Sequence, residues 1–145
     1  MDTSNQNKKN ITASLEDYLE TIYFLNNEEG VRVTDIATHL SISKPSVNRA
    51  INTLKSQGLV THEHYGALFL TDEGLKIAKN LAKRHFVLKR FLHKVLKVEA
   101  SVAEQEACMI EHCLSAETFE KLEKFVDTVL KKWESCGFNH SFFYQ

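Results

Sequence analysis

VTDIATHLSISKPSVNRAINTLKSQGLV, Val33 to Val60, carries two helical patterns separated by only three residues. In VTDIATHL, Ile36, Ala37 and Leu40 recur at helical spacing, and Thr34 is placed to cap the start. Ser41-Ile42-Ser43 then makes a tight turn. Ser43 can cap the next helix, whose first turn tolerates Pro45 because its missing N–H has no partner there in any case. Val47, Ala50, Ile51 and Leu54 follow at i, i+3, i+4, i+7, and Gly58 closes the helix. Upstream, Ser14 precedes the stripe Leu15, Tyr18, Leu19, Ile22 and Leu25, which Gly30 ends. Downstream, Leu59-Val60-Thr61 and Ala67-Leu68-Phe69-Leu70 read as short strands around a His64-Tyr65-Gly66 turn.

Helix, helix, short turn, helix, hairpin is the order of a winged helix-turn-helix, which distinguishes this stretch from a generic three-helix bundle. The second helix of such a motif enters the major groove by its N-terminal part. Ser43 sits at its cap and the reading part runs from Lys44 to Asn52; Pro45, Arg49, Asn52 and Thr53 point away from the core stripe, with Ser46 and Asn48 flanking it. Small polar groups can read base edges and an arginine can pair with guanine or phosphate. His64 and Tyr65 of the wing are placed to touch the DNA backbone rather than a base. The charge distribution agrees. No acidic residue stands between Asp35 and Glu63, while Lys44, Arg49 and Lys55 do. Residues 1–98 hold 14 Lys+Arg against 10 Asp+Glu, and residues 99–145 hold 4 against 9, an asymmetry hidden inside a net charge of −1.

Thr71 caps a long helix running to about Val95, and two more helices follow, at about 100–114 and 117–133. The expected fold is therefore mainly α: a winged helix-turn-helix over residues 1–73 and an all-helical domain over 74–145. With 145 residues, 5 Gly, 1 Pro and 43% apolar residues, the chain suits one compact domain or two small helical ones. It has no apolar run of membrane-spanning length and no leader pattern, so a cytoplasmic protein with no membrane partner is expected. Three scattered cysteines do not make a disulfide framework, and a thiol here reads as free or as a ligand.

Three segments carry metal-binding chemistry. Asp17 and Glu20 lie at i, i+3 in SLEDYLE, either as a solvated acidic face or as paired ligands; Phe24 on the same side argues that something covers that face. His85 lies beside the Leu81/Leu92 stripe of the long helix, where a lone histidine is more often structural. In EACMIEHC, Cys108, Glu111 and His112 stand opposite Val102, Ala103, Ile110 and Cys113, with Glu104 one turn earlier. Thiolate, carboxylate and imidazole within one turn can converge on a cation, although a polar surface would also hold such groups.

Asp-x-x-Glu on the first helix, His on the fourth and Cys-x-x-Glu-His on the fifth resemble the diphtheria toxin repressor family of metal-dependent regulators. The chain is most similar to its short, two-domain manganese transport regulators. The likeness runs from about Ser14 to Phe125, through LEDYLETIY, the helix-turn-helix, GALFLTDEG, KRHFVLKRFL and EACMIEHCLS. It implies a homodimer bound to double-stranded operator DNA, with a divalent metal bridging the reading and dimerisation domains. It places Asp17, Glu20, His85, Cys108, Glu111 and His112 on ligand positions, with Glu104 as an additional candidate. Manganese-type members commonly carry Glu where this chain has Cys108, and iron-type members usually carry Met where it has Asp17. The resemblance thus implies Mn²⁺, with Fe²⁺ as the alternative, repression of metal uptake genes, and no SH3-like third domain. No enzymatic activity and no small-molecule substrate are expected, since there is no phosphate loop or set of oxyanion donors. The rival reading is a redox- or small-molecule-responsive regulator on the same scaffold, with Cys108 as the reactive thiol.

Overall fold

The computed structural model describes residues 11–63 and 66–136. Contacts divide the chain into two compact units, with the division between Leu81 and Ala82. That point lies inside one helix, the same helix near whose start the sequence boundary at 73/74 was drawn.

The first unit opens with α1 (Ala13–Leu25). Its cap is Thr12, not Ser14: the Thr12 hydroxyl accepts from Leu15 N at 3.3 Å. A two-residue strand β1 (Val31–Arg32) leads into α2 (Val33–Leu40). Thr34 is already inside that helix; its start is held instead by the Asp35 carboxylate, which accepts from Arg32 N at 3.3 Å. Ser41, in the left-handed region at φ 54°, turns the chain. Ser43 then caps α3 (Lys44–Ser56), accepting from Ser46 N at 3.4 Å.

After α3 come β2 (Val60–His62) and β3 (Ala67–Leu70). The sheet has three strands in the order β1-β3-β2, all antiparallel, with Val31 opposite Leu68 and Thr61 opposite Phe69. The hairpin was expected; β1 was not, because two residues offer no alternation to read. Leu19, Ile22, Ile36, Val47, Ile51, Leu54, Leu59 and Leu68 bury one continuous core, which holds α3 by its apolar stripe and leaves its opposite face in solvent.

α4 (Asp72–Arg90) starts with Gly74 N donating to the Thr71 hydroxyl at 3.1 Å. It runs into a π-helical turn over Phe91–Val95, closed by Leu96 N on Phe91 O at 3.0 Å. In the second unit α5 (Ala100–Ile110) and α6 (Ala116–Ser135) complete the bundle. Leu88 and Leu92 pack with Ala103 and Ala107, and Val87 with Phe119 and Val126. Phe91 and Leu122 touch both groups. Lys83 and Arg90 of α4 pair with Glu123 and Asp127 of α6. Among the described residues no helix is long and apolar enough to cross a membrane.

Candidate metal centre

The first unit holds two of the candidates, Asp17 and Glu20, on α1. Tyr18 to Ile22 are buried, and Glu20 is among them at 7% exposure, so Glu20 is not on a solvated acidic face. Asp17 is half-buried. Phe24, expected to be covered, is 58% exposed and leans on the Tyr23 ring.

The second unit brings four of the remaining candidates together. The side chain of Glu111 is fully buried. Its Oε2 lies 2.9 Å from His85 Nδ1, and its Oε1 lies 3.4 Å from His112 Nε2. Oε1 has no hydrogen-bond partner among the described residues. The other nitrogen of His85, Nε2, is 2.9 Å from Glu104 Oε1, while Glu104 Oε2 is 2.5 Å from Lys89 Nζ. A buried carboxylate between two imidazoles needs a positive charge to be stable there. The hydrogen bond to Glu111 raises the pKa of His85, against the opposing effect of burial, and the Glu111 and Glu104 charges add to the rise. The Glu104 carboxyl is held below its ordinary range, first by Lys89 and then by His85.

Cys108 stands exposed one turn before His112, and none of Cys108, Cys113 and Cys136 forms a disulfide. The apolar side of α5 differs from expectation. Val102 is 41% exposed, and the buried line is Ala103, Ala107 and Glu111. Glu111, the C-cap of α5, follows Ala103 and Ala107 at i+4 spacing and is as buried as they are, so its carboxylate lies on the core face and not opposite it.

Sequence reasoning passed over two residues. Arg84 donates from Nη1 to Leu114 O at 2.8 Å and Glu111 O at 3.2 Å, and its guanidinium lies over the Phe119 ring. It therefore holds the backbone of the turn whose side chains are Glu111 and His112. Lys89 holds Glu104. Both flank His85 in KRHFVLK, where the adjacency was visible but its direction was not.

The oxygen and nitrogen donors of Glu111, His85 and His112, with Cys108 on the same segment, fit a divalent cation of borderline hardness. The candidate nucleic-acid face lies on the first unit. Ser43 at the cap of α3 and Lys44, Pro45, Asn48, Arg49, Asn52 and Thr53 within it are exposed, and Ser46 is half-buried against Ser43. His64 and Tyr65 lie outside the described residues.

Comparison with known proteins gives a consistent result. The iron-dependent repressor N-terminal DNA-binding domain matches residues 10–68, and the metal-binding and dimerisation domain of the same repressors matches residues 71–132. An uncharacterized helix-turn-helix-type transcriptional regulator of Methanocaldococcus jannaschii is 36% identical over 125 residues, 82% of this chain and 100% of that one. A manganese-dependent transcriptional repressor solved with manganese is 28% identical, with a TM-score of 0.71 over 78% of this chain. The manganese regulator SloR is 31% identical, with a TM-score of 0.72 over 81% of this chain. The chain spans about half the length of these two regulators, 52% and 55%.

Proposed function

Because this chain belongs to the iron-dependent repressor family of metal-dependent, DNA-binding transcription regulators, we propose that it is a homodimeric, cytoplasmic repressor of metal uptake genes that answers to Mn²⁺, or alternatively Fe²⁺. Residues 1–73 form the reading domain and 74–145 the domain that dimerises and holds metal. Asp17 and Glu20 from α1 and His85, Cys108, Glu111 and His112 from the second domain are the ligands. The observation that carries this reading is Glu111: a fully buried carboxylate set between two imidazoles, with one oxygen lacking a hydrogen bond.

Bound there, a divalent cation supplies the positive charge that Asp17, Glu20 and Glu111 together require. Carboxylates clustered without a metal repel one another. Sharing ligands restricts the reading domain and favours one spacing of the two recognition helices, matched to successive major grooves about 34 Å apart. Ser43, Lys44, Pro45, Ser46, Asn48, Arg49 and Asn52 face the operator, with His64 and Tyr65 on the wing. The exposed Phe86, Met109 and Phe125 of the second unit offer apolar surface for the second copy. Asp17 and Glu20 suit a hard ion; the Cys108 thiolate shifts preference toward Fe²⁺ and makes the ligand set a hybrid. The matched regulators give no support to a thiol switch at Cys108.

The test is titration of reduced, metal-free protein with Mn²⁺, Fe²⁺, Co²⁺ and Zn²⁺ without oxygen, following DNA binding by anisotropy at low salt. DNA affinity should rise with Mn²⁺ or Fe²⁺, by about 1–3 kcal/mol of coupling. Asp17→Ala should abolish the response and leave the dimer folded. Unchanged, metal-indifferent DNA binding by the wild type would refute the proposal.

A further inference from the structure

We infer that Glu104, anchored by Lys89, orients His85 for the metal: it accepts the Nε2–H and leaves Nδ1 as the ligating nitrogen. The inference rests on the metal-site reading above and gives Glu104 a positioning role in place of ligation.

Both ring nitrogens of His85 face carboxylates, but the two carboxylates differ. Nδ1 faces Glu111, whose side chain is fully buried, and Nε2 faces Glu104, whose side chain is 50% exposed. A ring donating at both nitrogens is an imidazolium, and only one nitrogen can remain a donor once the other becomes a ligand. Glu111 is itself a ligand candidate with a spare oxygen, so the nitrogen turned toward it is the one that can share its ion. Glu104 cannot do the same. One of its oxygens holds the imidazole and the other holds the Lys89 ammonium at 2.5 Å. A second cation at Glu104 would have to displace Lys89 against like charge. Lys89 lies one turn after His85 on α4, so the ammonium and the imidazole present themselves on one face and grip the same carboxylate. The result is a carboxylate–histidine arrangement in which the outer acid fixes the tautomer and ring orientation. Partners of this kind usually contribute about 10–100-fold to metal affinity.

The test uses the full chain carrying ¹⁵N-histidine, with long-range ¹H–¹⁵N spectra recorded metal-free and with Zn²⁺ as a diamagnetic probe. Zn²⁺ affinity is read by chelator competition. In the wild type Zn²⁺ should move His85 Nδ1 to a metal-bound position while Nε2 stays protonated. Glu104→Gln, whose amide oxygen still accepts, should keep this tautomer and nearly all of the affinity. Glu104→Ala should lose about 10–100-fold and the protected Nε2–H, and Lys89→Met should weaken affinity less. If Glu104→Ala fails to fold, the Gln and Met variants carry the comparison. Metal on Nε2 in the wild type, or Glu104→Ala with unaltered tautomer and affinity, overturns the inference alone. Zn²⁺ that shifts neither His85 nor His112 overturns the metal-site reading and this inference with it.

Discussion

Gly74→Ala is expected to destabilise the protein although alanine is the better helix former. Gly74 lies in the first turn of α4, and a Cβ built there would stand 2.0 Å from Leu59 O and 3.0 Å from Leu59 C. Those atoms are backbone, and they are pinned. Leu59 O accepts Thr71 N at 3.1 Å, and the Thr71 hydroxyl donates to Gly58 O at 2.8 Å. Leu59 itself is fully buried. Relief therefore requires the start of α4 to move off the end of α3 and β2 by on the order of 1 Å, loosening the Thr71 bonds. Overpacking of a tight contact costs about 1–3 kcal/mol, and a lost hydrogen bond about 1 kcal/mol. The helix gain from Gly to Ala is at most about 1 kcal/mol. The sum is a net loss of about 2 kcal/mol, which for a unit this size lowers Tm by roughly 8–16 °C. Circular dichroism melts of the metal-free protein measure it. Gly58→Ala is the control: nothing lies within 4 Å of its Cβ position, and the cost there comes only from φ +71°, about 1 kcal/mol. A Gly74→Ala protein that melts at or above the wild-type temperature would refute the steric argument, because helix propensity alone would then have decided.

Other expectations follow from the second unit and from α3. The pKa of His85 is raised in the folded chain, chiefly by Glu111, while in the unfolded chain it is about 6.5. Its stabilising contribution is therefore complete below about pH 6.5 and disappears as pH rises through the folded value. Metal-free protein should lose Tm across that window and His85→Asn should flatten the profile; a wild-type profile as flat as the variant's would remove His85 from the account. Metal binding should show the reverse trend, strengthening as pH rises, because a ligating imidazole must be neutral. Arg84→Met removes two charge-assisted bonds to the Glu111 and Leu114 carbonyls and should cost about 2 kcal/mol; a loss below a quarter of that in thermal melts would show that the turn holds itself. Ser43→Ala should cost about 0.5–1 kcal/mol, read as faster hydrogen exchange at the Ser46 and Val47 amides; unchanged exchange would mean that the long 3.4 Å cap bond is not contributing.

The recognition unit was legible because its signals are large. The Val47, Ile51, Leu54 stripe, the Ser43 cap and the Gly58 stop agree with one another, and tertiary packing confirms each of them. The misses lie where the signal is short or shared. Thr12 and Ser14 are both good caps, and only the helix register decides between them. Arg32 begins α2 as its cap because the Asp35 carboxylate reaches back to its amide, a bond that a cap preference for Thr34 hides. The two residues of β1 become a strand only because β3 is beside them. The π-helical turn after Arg90 reads as plain helix, since its apolar spacing over five residues differs little from that of α4.

The site was half legible for a different reason. Its residue types were plain, but their burial was not, because the apolar side of α5 is made of alanine. Ala103 and Ala107 bring the backbone of α5 close to Leu88 and Leu92, and the next position along that line is Glu111. Weighting by side-chain size rotates the apparent stripe toward Val102 and Ile110, which turns Glu111 outward on paper. The error is informative. A helix that continues its small-residue seam with a glutamate has put a charge where packing asks for another alanine, and such breaks in a local rule concentrate at functional positions. Stability alone does not explain the choice, since a buried charge pair is no better than an apolar replacement of the same shape. Two imidazoles and an arginine holding the backbone surround that one carboxylate, and a lysine-anchored glutamate grips the far side of His85, so the break in the seam is matched by polar partners.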